Sequence, residues 1–344
     1  MSWQNKLMEW YDLYKREFPW RQTKDPYKIW LSEIIMQQTR TQQGLPYYEA
    51  FVSTFPTVAD LAAAEEGQVL KLWQGLGYYS RARNLHSTAK EIYYTYDSKF
   101  PTTFKGLLAL KGVGDYTASA IASIAYDLPE AVVDGNVYRV YARFFGIDLP
   151  VPSSVAFKHF KALAQKVLPT QSPGNFNQAV MELGALQCVP KNPNCTVCPL
   201  ASSCKAFAWG QVAQYPVKAK KAKIRYRYFN YLIFQTPDHL WYLKQRKESG
   251  IWHKLFEFPL VETQESIQSN HKLLEKAIAD YTTGGSKPVR WKQPLLHKLT
   301  HQHIEINFWF VQACEVQCKG YSNKELDGLA VPVPIANFIK ETRV

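Results

Sequence analysis

Four cysteines close together in the sequence constrain the fold of this chain more than any other feature. Cys188, Cys195, Cys198 and Cys204 lie within seventeen residues, in the pattern C-x6-C-x2-C-x5-C. Thiolates with this spacing can converge on one metal centre, and four cysteines satisfy either an iron–sulfur cluster or a tetrahedral zinc ion. Disulfide bonds are a third alternative, which is disfavoured because the chain shows no export signal. The segment therefore predicts a metal site whose identity the cysteines alone leave open.

The composition gives the chain enough apolar material for one large or two ordinary domains. It has 344 residues, of which 46% are hydrophobic and 20% are charged, so it can bury stable cores. No run of eighteen apolar residues occurs, and the N-terminal segment mixes charges among its apolar residues, unlike a signal peptide or a membrane helix. We expect a cytoplasmic protein that does not enter a membrane.

The charge of the chain favours an anionic partner. The formal net charge is +12, and basic residues that neutralise phosphates release counterions, which favours binding to nucleic acid. Six basic residues fall in one short run, namely Lys218, Lys220, Lys221, Lys223, Arg225 and Arg227. Many basic proteins bind nothing acidic, so the charge permits a nucleic-acid partner without requiring one.

The first part of the chain predicts helices. From Trp3 to about Phe207 the apolar residues recur at helical spacing, and glycine and proline punctuate them at short intervals. Thr57 and Thr102 each follow a proline and precede a helical run, so we expect both to be helix N-caps.

The later part predicts a mixed domain. Residues 226–234 and 239–244 are rich in aromatic and β-branched residues, which favours two strands joined by a hairpin at 236–238. A helix near 269–281 and a strand at 303–311 follow from the periodicity. The predicted domains are a mainly α-helical domain over 1–210, a basic linker over 211–225 and an α+β domain over 226–344.

A glycine-containing turn between two helical stretches is a candidate phosphate site. Gly112 and Gly114 flank Val113 and precede an apolar helix; such glycines let main-chain N–H groups at the helix start approach a phosphate. Taken alone, this pattern is more often only a turn. Asp134 follows about twenty residues later, in the segment Val-Asp-Gly-Asn-Val. An aspartate that can act in chemistry at this distance favours a functional interpretation of the turn.

A single carboxylate lies among apolar neighbours in the segment WLSEIIMQQTR. Its residue, Glu33, falls on a predicted helix, and the ordinary alternative is an exposed glutamate without a role. A carboxyl in an apolar surrounding has a raised pKa and can act as a general acid.

These motifs together resemble a known family. The cysteine spacing at the end of a helical domain, with the glycine turn and the aspartate, is similar to the helix-hairpin-helix glycosylases related to endonuclease III. The segment W-L-S-E-x-x-x-Q-Q-T, with FPWR before it and GLGYYSR after it, resembles the MutY-type adenine DNA glycosylases. The resemblance extends over nearly the whole chain. It implies a helix-hairpin-helix domain whose four cysteines hold a [4Fe–4S] cluster.

The resemblance also implies the chemistry. Glu33 occupies the position of the family's general acid, which protonates adenine at N7, and Asp134 stabilises the positive charge that develops on the sugar. Tyr116 and Asn136 are expected to hold the aspartate and the sugar region by hydrogen bonds. Tyr116 stands where bifunctional relatives carry a lysine that forms a Schiff base, so hydrolysis without strand cleavage is expected.

Further positions are assigned to the DNA substrate by the same resemblance. The adenine is flipped out of the duplex into its pocket, which Arg16, Trp20, Arg21 and Glu182 help to form. Gln38 and Tyr78 match residues that wedge into the base stack, and Gly112 and Gly114 match the phosphate-binding turn.

The later domain resembles the C-terminal domain of the same family. The segment GIWHKLFEFP at 250–259 matches it, and the implied fold is like that of Nudix hydrolases. The Nudix metal-binding box is missing from the sequence, so we expect a domain that recognises and does not hydrolyse. Leu299, Thr300 and His301 take the place of the family's Phe-Ser-His loop, which contacts 8-oxoguanine, and depart from it at two of three positions. The alternative is a group of histidines at a strand edge.

The expected function is excision of adenine paired with 8-oxoguanine or guanine in duplex DNA, by a monomeric bacterial enzyme that works at the nucleoid in base excision repair. One rival is an endonuclease III-like glycosylase with lyase activity. The other is a non-catalytic iron–sulfur protein that binds DNA, which would need neither Glu33 nor Asp134.

Overall fold

The computed structural model describes residues 1–219 and 224–343, and the chain divides into two compact units. The first unit contains Met1–Ala63 and the described residues from Asn84 to 219, and the second unit contains Ala64–Arg83 and the described residues from Ile224 onward. Lys220, Lys221 and Lys223 of the predicted basic linker lie outside the described residues. The domain bounds from the sequence stay a prediction.

The part of the chain before the linker is helical. Its α-helices are α1 (Trp3–Tyr14), α2 (Pro26–Met36), α3 (Thr41–Thr54), α4 (Val58–Ala63), α5 (Glu66–Leu72), α6 (Ser80–Thr95), α7 (Phe104–Ala109), α8 (Asp115–Ala125), α9 (Gly135–Phe145), α10 (Ser154–Val167), α11 (Pro173–Leu186) and α12 (Lys205–Ala208). Short 3-10 turns form at Pro19–Arg21, Cys195–Val197, Ala201–Ser203 and Val212–Gln214.

Side-chain caps explain where several of these helices begin. Asp25 accepts a hydrogen bond from the Tyr27 N–H, and Pro26 occupies the first position of α2. Thr57 accepts from the Asp60 N–H before α4, as predicted. The cap of α7 is Thr103, whose hydroxyl accepts from the Gly106 N–H, so the prediction of Thr102 was wrong by one residue.

The helix α8 lies in the middle of the first unit and packs against α2, α7 and α11. Its residues from Thr117 to Ile124 are all buried, and most of them are alanine or serine. Small side chains let the neighbouring helices approach closely. This packing brings the helices that carry the candidate site residues together.

The second unit contains the strands. They are β1 (Arg225–Gln235), β2 (Trp241–Tyr242), β3 (Lys244–Gln245), β4 (Phe256–Glu257), β5 (Leu260–Thr263), β6 (Val289–Arg290), β7 (Leu295–Lys298), β8 (Gln302–Gln312) and β9 (Gly320–Tyr321), and they accompany α13 (Lys272–Tyr281), α14 (Asn323–Gly328) and α15 (Val333–Thr342).

The main sheet has the order β5-β1-β8-β6, and β7 also pairs with β8. β1 and β8 run parallel from Arg225 opposite Gln302 to Gln235 opposite Gln312. β1 is buried along most of its length, as expected for a central strand covered on both faces. A short turn joins β7 to β8, where the Leu299 N–H donates to the Gln302 carbonyl at 2.9 Å.

The strands predicted at 226–234 and 303–311 and the helix predicted near 269–281 are present as β1, β8 and α13. The strand predicted at 239–244 is divided into the short strands β2 and β3, and the predicted hairpin was wrong. β1 pairs with β5 and β8, and β2 pairs with β9. Asp238 shapes the turn between β1 and β2 instead, by accepting hydrogen bonds from the Leu240 N–H and the Tyr242 hydroxyl. Strand-forming residues specify extended backbone, and they do not specify the partner strand. Among the described residues, no helix is both long and apolar enough to cross a bilayer.

Candidate active site

Glu33 lies on α2, which is buried on almost every side. Its neighbours Leu31, Ser32, Ile34 and Ile35 are all buried, whereas Glu33 keeps some accessible surface. The pKa of Glu33 is raised to about 7. Burial is the main cause and the neighbouring Asp134 charge adds to it, whereas a hydrogen bond from Tyr116 and the Arg21 charge oppose the rise. A substantial fraction of this carboxyl is therefore protonated at neutral pH.

The Tyr116 hydroxyl faces Glu33. Tyr116 follows the first residue of α8, and burial raises the pKa of its hydroxyl well above the usual value. It donates to the Glu33 carboxylate and also lies 3.8 Å from the Met181 Sδ. Since a hydroxyl has one proton to donate, the two acceptors compete for it. We expected Tyr116 to bond to Asp134, and the structure places its hydrogen bond on Glu33.

Asp134 is the N-cap of α9. Its carboxylate accepts from the Val137 N–H at 2.7 Å and from the Asn136 side-chain amide at 2.8 Å. Burial raises the pKa of Asp134, and these hydrogen bonds together with the charge of Arg139 oppose that rise. Donors that favour the charged form keep a carboxylate available in a pocket that would otherwise protonate it.

The amide of Asn136 is itself held from behind. Arg139 donates to the Asn136 Oδ1 at 2.7 Å, to the Gly184 carbonyl at 2.7 Å and to the Cys188 carbonyl at 2.8 Å. A continuous set of hydrogen bonds thus connects Asp134 with the backbone of the first cysteine of the cysteine segment. A glycine is required at position 184, because a Cβ there would lie 2.6 Å from the Cβ of Asn136.

Glu182 is almost completely buried and is bound by two arginines. It accepts from the Arg16 backbone N–H, Nε and Nη2 at 2.7–2.9 Å and from the Arg21 Nη2 at 2.8 Å. Burial alone would raise the pKa of Glu182, but these hydrogen bonds outweigh it and lower the pKa to about 2. These four bonds occupy the acceptor sites of the carboxylate and leave none for a substrate. Glu182 therefore contributes to a pocket by fixing the turn that carries Arg16 and Arg21.

Trp20 lies in that same turn. Its ring stacks on Phe18 at 4.7 Å between ring centroids and meets the edge of Tyr48 at 5.0 Å. The guanidinium groups of Arg16 and Arg21 both lie over Phe18. Arginines and aromatic rings therefore form one wall next to α2, and the charge of Arg21 reaches Glu33, whose pKa it lowers.

The predicted phosphate-binding turn has the expected backbone. Gly112 has a φ of +75°, and a Cβ there would lie 2.8 Å from the Cβ of Asn84, so other residues would be strained. Gly114 is the N-cap of α8, with no side-chain cap and no atom within 4 Å of a built Cβ. The first N–H groups of α8 have no acceptors within the helix, so an anion can approach them.

Gln38 and Tyr78, the two wedge candidates, belong to different units, and both are exposed. Each has a positive φ, +56° for Gln38 and +45° for Tyr78. A positive φ in residues other than glycine costs free energy and is concentrated at functional sites.

In the second unit, the Tyr78 hydroxyl and the Thr300 hydroxyl are 2.7 Å apart. Thr300 and His301 are exposed and Leu299 is partly buried in the turn between β7 and β8. The structure thus brings one wedge candidate and the candidate lesion-reading loop together within the same unit.

The four clustered cysteines line one cavity. Cys188, Cys195, Cys198 and Cys204 surround a space of about 310 Å³, part of which is open to solvent. All six cysteines of the chain are free thiols. Within the described ranges, no three His, Cys, Asp or Glu side chains are arranged as a bound metal ion requires. Burial raises the pKa of Cys198 to about 11, so metal binding there would release protons.

Arg143 organises the cysteine segment and was missed by the sequence analysis. It is 2% exposed, and its guanidinium donates to the Cys188 Sγ at 3.3 Å and to the Val189 carbonyl at 2.8 Å. The carbonyls of Val212 and Tyr215 accept from its Nε. The available signal was two arginines four residues apart, Arg139 and Arg143, in a helix with no other charged residue, where they share one face.

The geometry provides a proton donor and a fixed negative charge beside each other. The protonated form of Glu33 can give a proton to a leaving group, and Asp134 can stabilise a cation that forms nearby. This pair is suited to breaking a glycosidic bond with a cationic sugar transition state.

Comparisons with known proteins agree with this chemistry. Residues 31–167 match the HhH-GPD superfamily of base excision DNA repair proteins, and residues 230–341 match the NUDIX domain. The adenine DNA glycosylase of Buchnera aphidicola subsp. Baizongia pistaciae is 31% identical over 98% of this chain and 95% of its own length. The Homo sapiens adenine DNA glycosylase is 33% identical over 86% of this chain and 62% of its own length.

Solved structures show the same helical fold. A thermostable thymine-DNA glycosylase has a TM-score of 0.55 and 27% identity, over 60% of this chain and 95% of that chain. Endonuclease III in a non-covalent DNA complex has a TM-score of 0.51 and 20% identity, over 61% of this chain and 98% of that chain. The predicted fold class, a helix-hairpin-helix glycosylase domain followed by a Nudix-like domain, is confirmed. The chain belongs to the adenine DNA glycosylases, enzymes that hydrolyse N-glycosyl bonds.

Proposed function

We propose that this enzyme removes adenine from duplex DNA where the adenine is paired with 8-oxoguanine or guanine. The observation that carries the proposal is Glu33, whose burial raises its pKa to about 7 and whose nearest ionisable neighbours include Asp134. An acid with this pKa can protonate adenine N7 at neutral pH, and it can leave the proton there while the bond to the sugar breaks.

Asp134 stabilises the positive charge that appears on the sugar as the base departs. Its carboxylate is oriented by the Val137 N–H and the Asn136 amide, so it need not reorganise during the reaction. Water then adds to the sugar carbon, and the product is an abasic site. The adenine must first be flipped out of the DNA duplex, because a carboxyl on the buried helix α2 cannot reach a base that is stacked there.

The reaction is proposed to be hydrolytic. A Schiff base with the sugar requires an amine, and Tyr116 supplies a hydroxyl at the position where bifunctional relatives carry lysine. Its hydroxyl bonds to Glu33, which gives it a role in setting the pKa of the acid. This separates the proposal from an endonuclease III-like lyase.

The turn between β7 and β8 is proposed to read the base opposite the adenine. 8-Oxoguanine differs from guanine by a proton on N7 and an oxygen on C8, and the Thr300 hydroxyl can accept a hydrogen bond from that proton. Thr300 and His301 are exposed, and the hydroxyl of Tyr78, also exposed, lies 2.7 Å from that of Thr300. The enzyme is proposed to act on duplex DNA as a monomer, because one chain carries both the candidate catalytic residues and this turn.

The four cysteines that line one cavity are proposed to hold a [4Fe–4S] cluster, which would tie the two ends of the cysteine segment together. Four thiols that line one cavity provide the ligands that such a cluster requires. The Arg143 guanidinium beside Cys188 provides a positive charge next to the anionic cluster. Protein purified anaerobically should contain about four irons per chain and absorb broadly near 400 nm. A colourless protein with stoichiometric zinc would contradict the proposal and favour a zinc site.

A panel of duplexes tests the substrate. Single-turnover excision is measured on adenine opposite 8-oxoguanine, guanine, cytosine and thymine, with alkali treatment to reveal abasic sites. We expect fast excision opposite 8-oxoguanine, slower excision opposite guanine and little on the paired adenine. Strand cleavage without alkali at the rate of excision would contradict the hydrolytic mechanism, and equal rates on all duplexes would contradict the mispair specificity.

A further inference from the structure

The segment that leads to Asp134 belongs to no helix or strand, and its last three residues are buried. It runs from Pro129 to Val133, and Ala131, Val132 and Val133 are 1%, 2% and 6% exposed. Buried backbone N–H and carbonyl groups need hydrogen-bond partners. Since the segment has no ladder, other parts of the chain must supply them.

Two side chains of α10, one helical turn apart, supply part of these bonds. Gln165 accepts from the Ala131 N–H at 3.1 Å and donates to the Pro129 carbonyl. Lys161 donates to the Ala131 carbonyl at 2.7 Å.

Asn177, on α11, supplies two more. Its Oδ1 accepts from the Val132 N–H at 3.1 Å, and its Nδ2 donates to the Glu130 carbonyl at 2.8 Å. The same Nδ2 lies 3.0 Å from the Ser123 Oγ on α8. Asn177 is 4% exposed, so these bonds are shielded from water.

Lys161 is bound to α8 as well. Its ammonium lies 2.7 Å from the Asp115 Oδ1 and 2.8 Å from the Ser119 Oγ, so its three protons all have acceptors. Asp115, Ser119 and Ser123 lie four residues apart and form one face of α8. Tyr116, which bonds to Glu33, is next to Asp115 on this helix.

Lys161 and Asn177 therefore each bridge the segment before Asp134 and the helix that carries Tyr116. We infer that they are positioning residues that hold Asp134 at a fixed place relative to Tyr116 and Glu33. The inference deepens the proposed function and rests on it. A displacement of about 1 Å between reacting groups can cost on the order of a hundredfold in rate, so a two-sided anchor of this kind affects the chemical step.

The test compares Lys161→Met with Lys158→Met. Both remove one positive charge from α10, and Lys158 is exposed. Three quantities are measured for each variant: the single-turnover rate of adenine excision, the Kd for a duplex with a non-hydrolysable adenine nucleotide, and amide hydrogen exchange along the chain. For Lys161→Met we expect a rate at least about tenfold lower, a Kd within about twofold of wild type, and faster exchange at 130–137. Lys158→Met should match wild type in all three.

A wild-type rate in folded Lys161→Met would overturn the inference, and so would a loss of rate accompanied by an equal loss of binding and faster exchange throughout the unit. If Lys161→Met does not fold, Gln165→Leu replaces it, because Gln165 is exposed and its substitution disturbs the core less. The inference then requires faster amide exchange at 130–137 and a lower rate of adenine excision in this variant. Failure of the proposed function is distinguishable from failure of this inference. In the first case wild type itself would excise no adenine, while amide exchange would still show whether Lys161 holds the segment before Asp134.

Discussion

Glu33 illustrates how the surroundings of one residue decide its chemistry. On an exposed helix the same carboxyl would be ionised at neutral pH and could not donate a proton. The apolar residues around it raise its pKa to about 7, and the hydrogen bond from Tyr116 limits that rise. With a pKa near neutral pH, Glu33 can be protonated before the reaction and can still give up its proton during the reaction.

The dependence of the excision rate on pH follows from this pKa. Glu33 must be protonated to act, and its protonated fraction falls as the pH rises through about 7. The single-turnover rate should therefore fall about tenfold per pH unit above that value, while Kd for the duplex is measured over the same range as the control. A flat profile between pH 6 and 9 would mean that Glu33 is not the proton donor.

Replacing Tyr116 by phenylalanine should move this fall in rate to higher pH. The tyrosine hydroxyl stabilises the ionised form of Glu33 and lowers its pKa, so its loss raises that pKa and keeps the acid protonated in more alkaline solution. The measurement is the pH profile of single-turnover excision for the two proteins. A shift to lower pH would show that the hydroxyl stabilises the protonated acid instead.

Replacing Tyr116 by lysine tests the position of this residue on the sugar side of the pocket. We expect the variant to form covalent complexes with DNA that borohydride traps, because an amine there can attack the sugar carbon. Wild type is the control and should give none. A folded variant that binds DNA and yields no complex would mean that the correspondence with the bifunctional enzymes fails at this position.

At the scale of elements, the candidate site depends on how closely α11 approaches the start of α9. The approach is possible because residue 184 has no side chain, and a Cβ there would lie 2.6 Å from the Cβ of Asn136. The sequence predicts neither this close approach nor the need for glycine at 184, because Gly184 looks like any other glycine within a helical run.

Gly184→Ala should therefore destabilise the protein and slow excision. Overpacking of this kind costs roughly 1–3 kcal/mol, and it displaces the amide that orients Asp134. Gly67→Ala in α5 is the matched control, since no atom lies within 4 Å of a Cβ there, and alanine in a helix is favoured over glycine by about 1 kcal/mol. Thermal unfolding and excision rates check both variants; an unchanged rate in Gly184→Ala would contradict the role of this packing.

Local patterns predicted the elements better than their partners. The apolar periodicity and the caps predicted α2 and α4, and the aromatic run predicted β1, because these signals act within a few residues. β1 pairs with β5 on one edge and with the distant β8 on the other, so no edge is left for the expected hairpin. In the candidate site, Glu33 and Asp134 had motifs. Arg139 and Arg143 had only their spacing of four residues on α9 as a signal, and Lys161 acts through tertiary contacts that no local pattern records.

At the scale of the whole molecule, two units divide the proposed tasks of chemistry and lesion reading. If the turn between β7 and β8 reads 8-oxoguanine, the double variant Thr300→Val with His301→Ala should lose more activity on adenine opposite 8-oxoguanine than opposite guanine. Loss of one base-specific contact costs roughly 1–3 kcal/mol, or about fivefold to 150-fold in the ratio of the two rates. Thr283→Val, an exposed threonine of the same unit, is the control. Equal losses on both duplexes would assign the turn to general DNA binding or stability.

The most direct test of the account is single-turnover excision by Glu33→Gln and Asp134→Asn on a duplex with adenine opposite 8-oxoguanine, with Kd measured on the same duplex. Both substitutions keep the shape of the side chain and remove the proton donor or the negative charge. The account predicts that each variant binds the duplex within a few-fold of wild type and loses at least about a hundredfold in rate. A rate near wild type in either variant, with intact binding, would remove that residue from the mechanism and contradict the central claim.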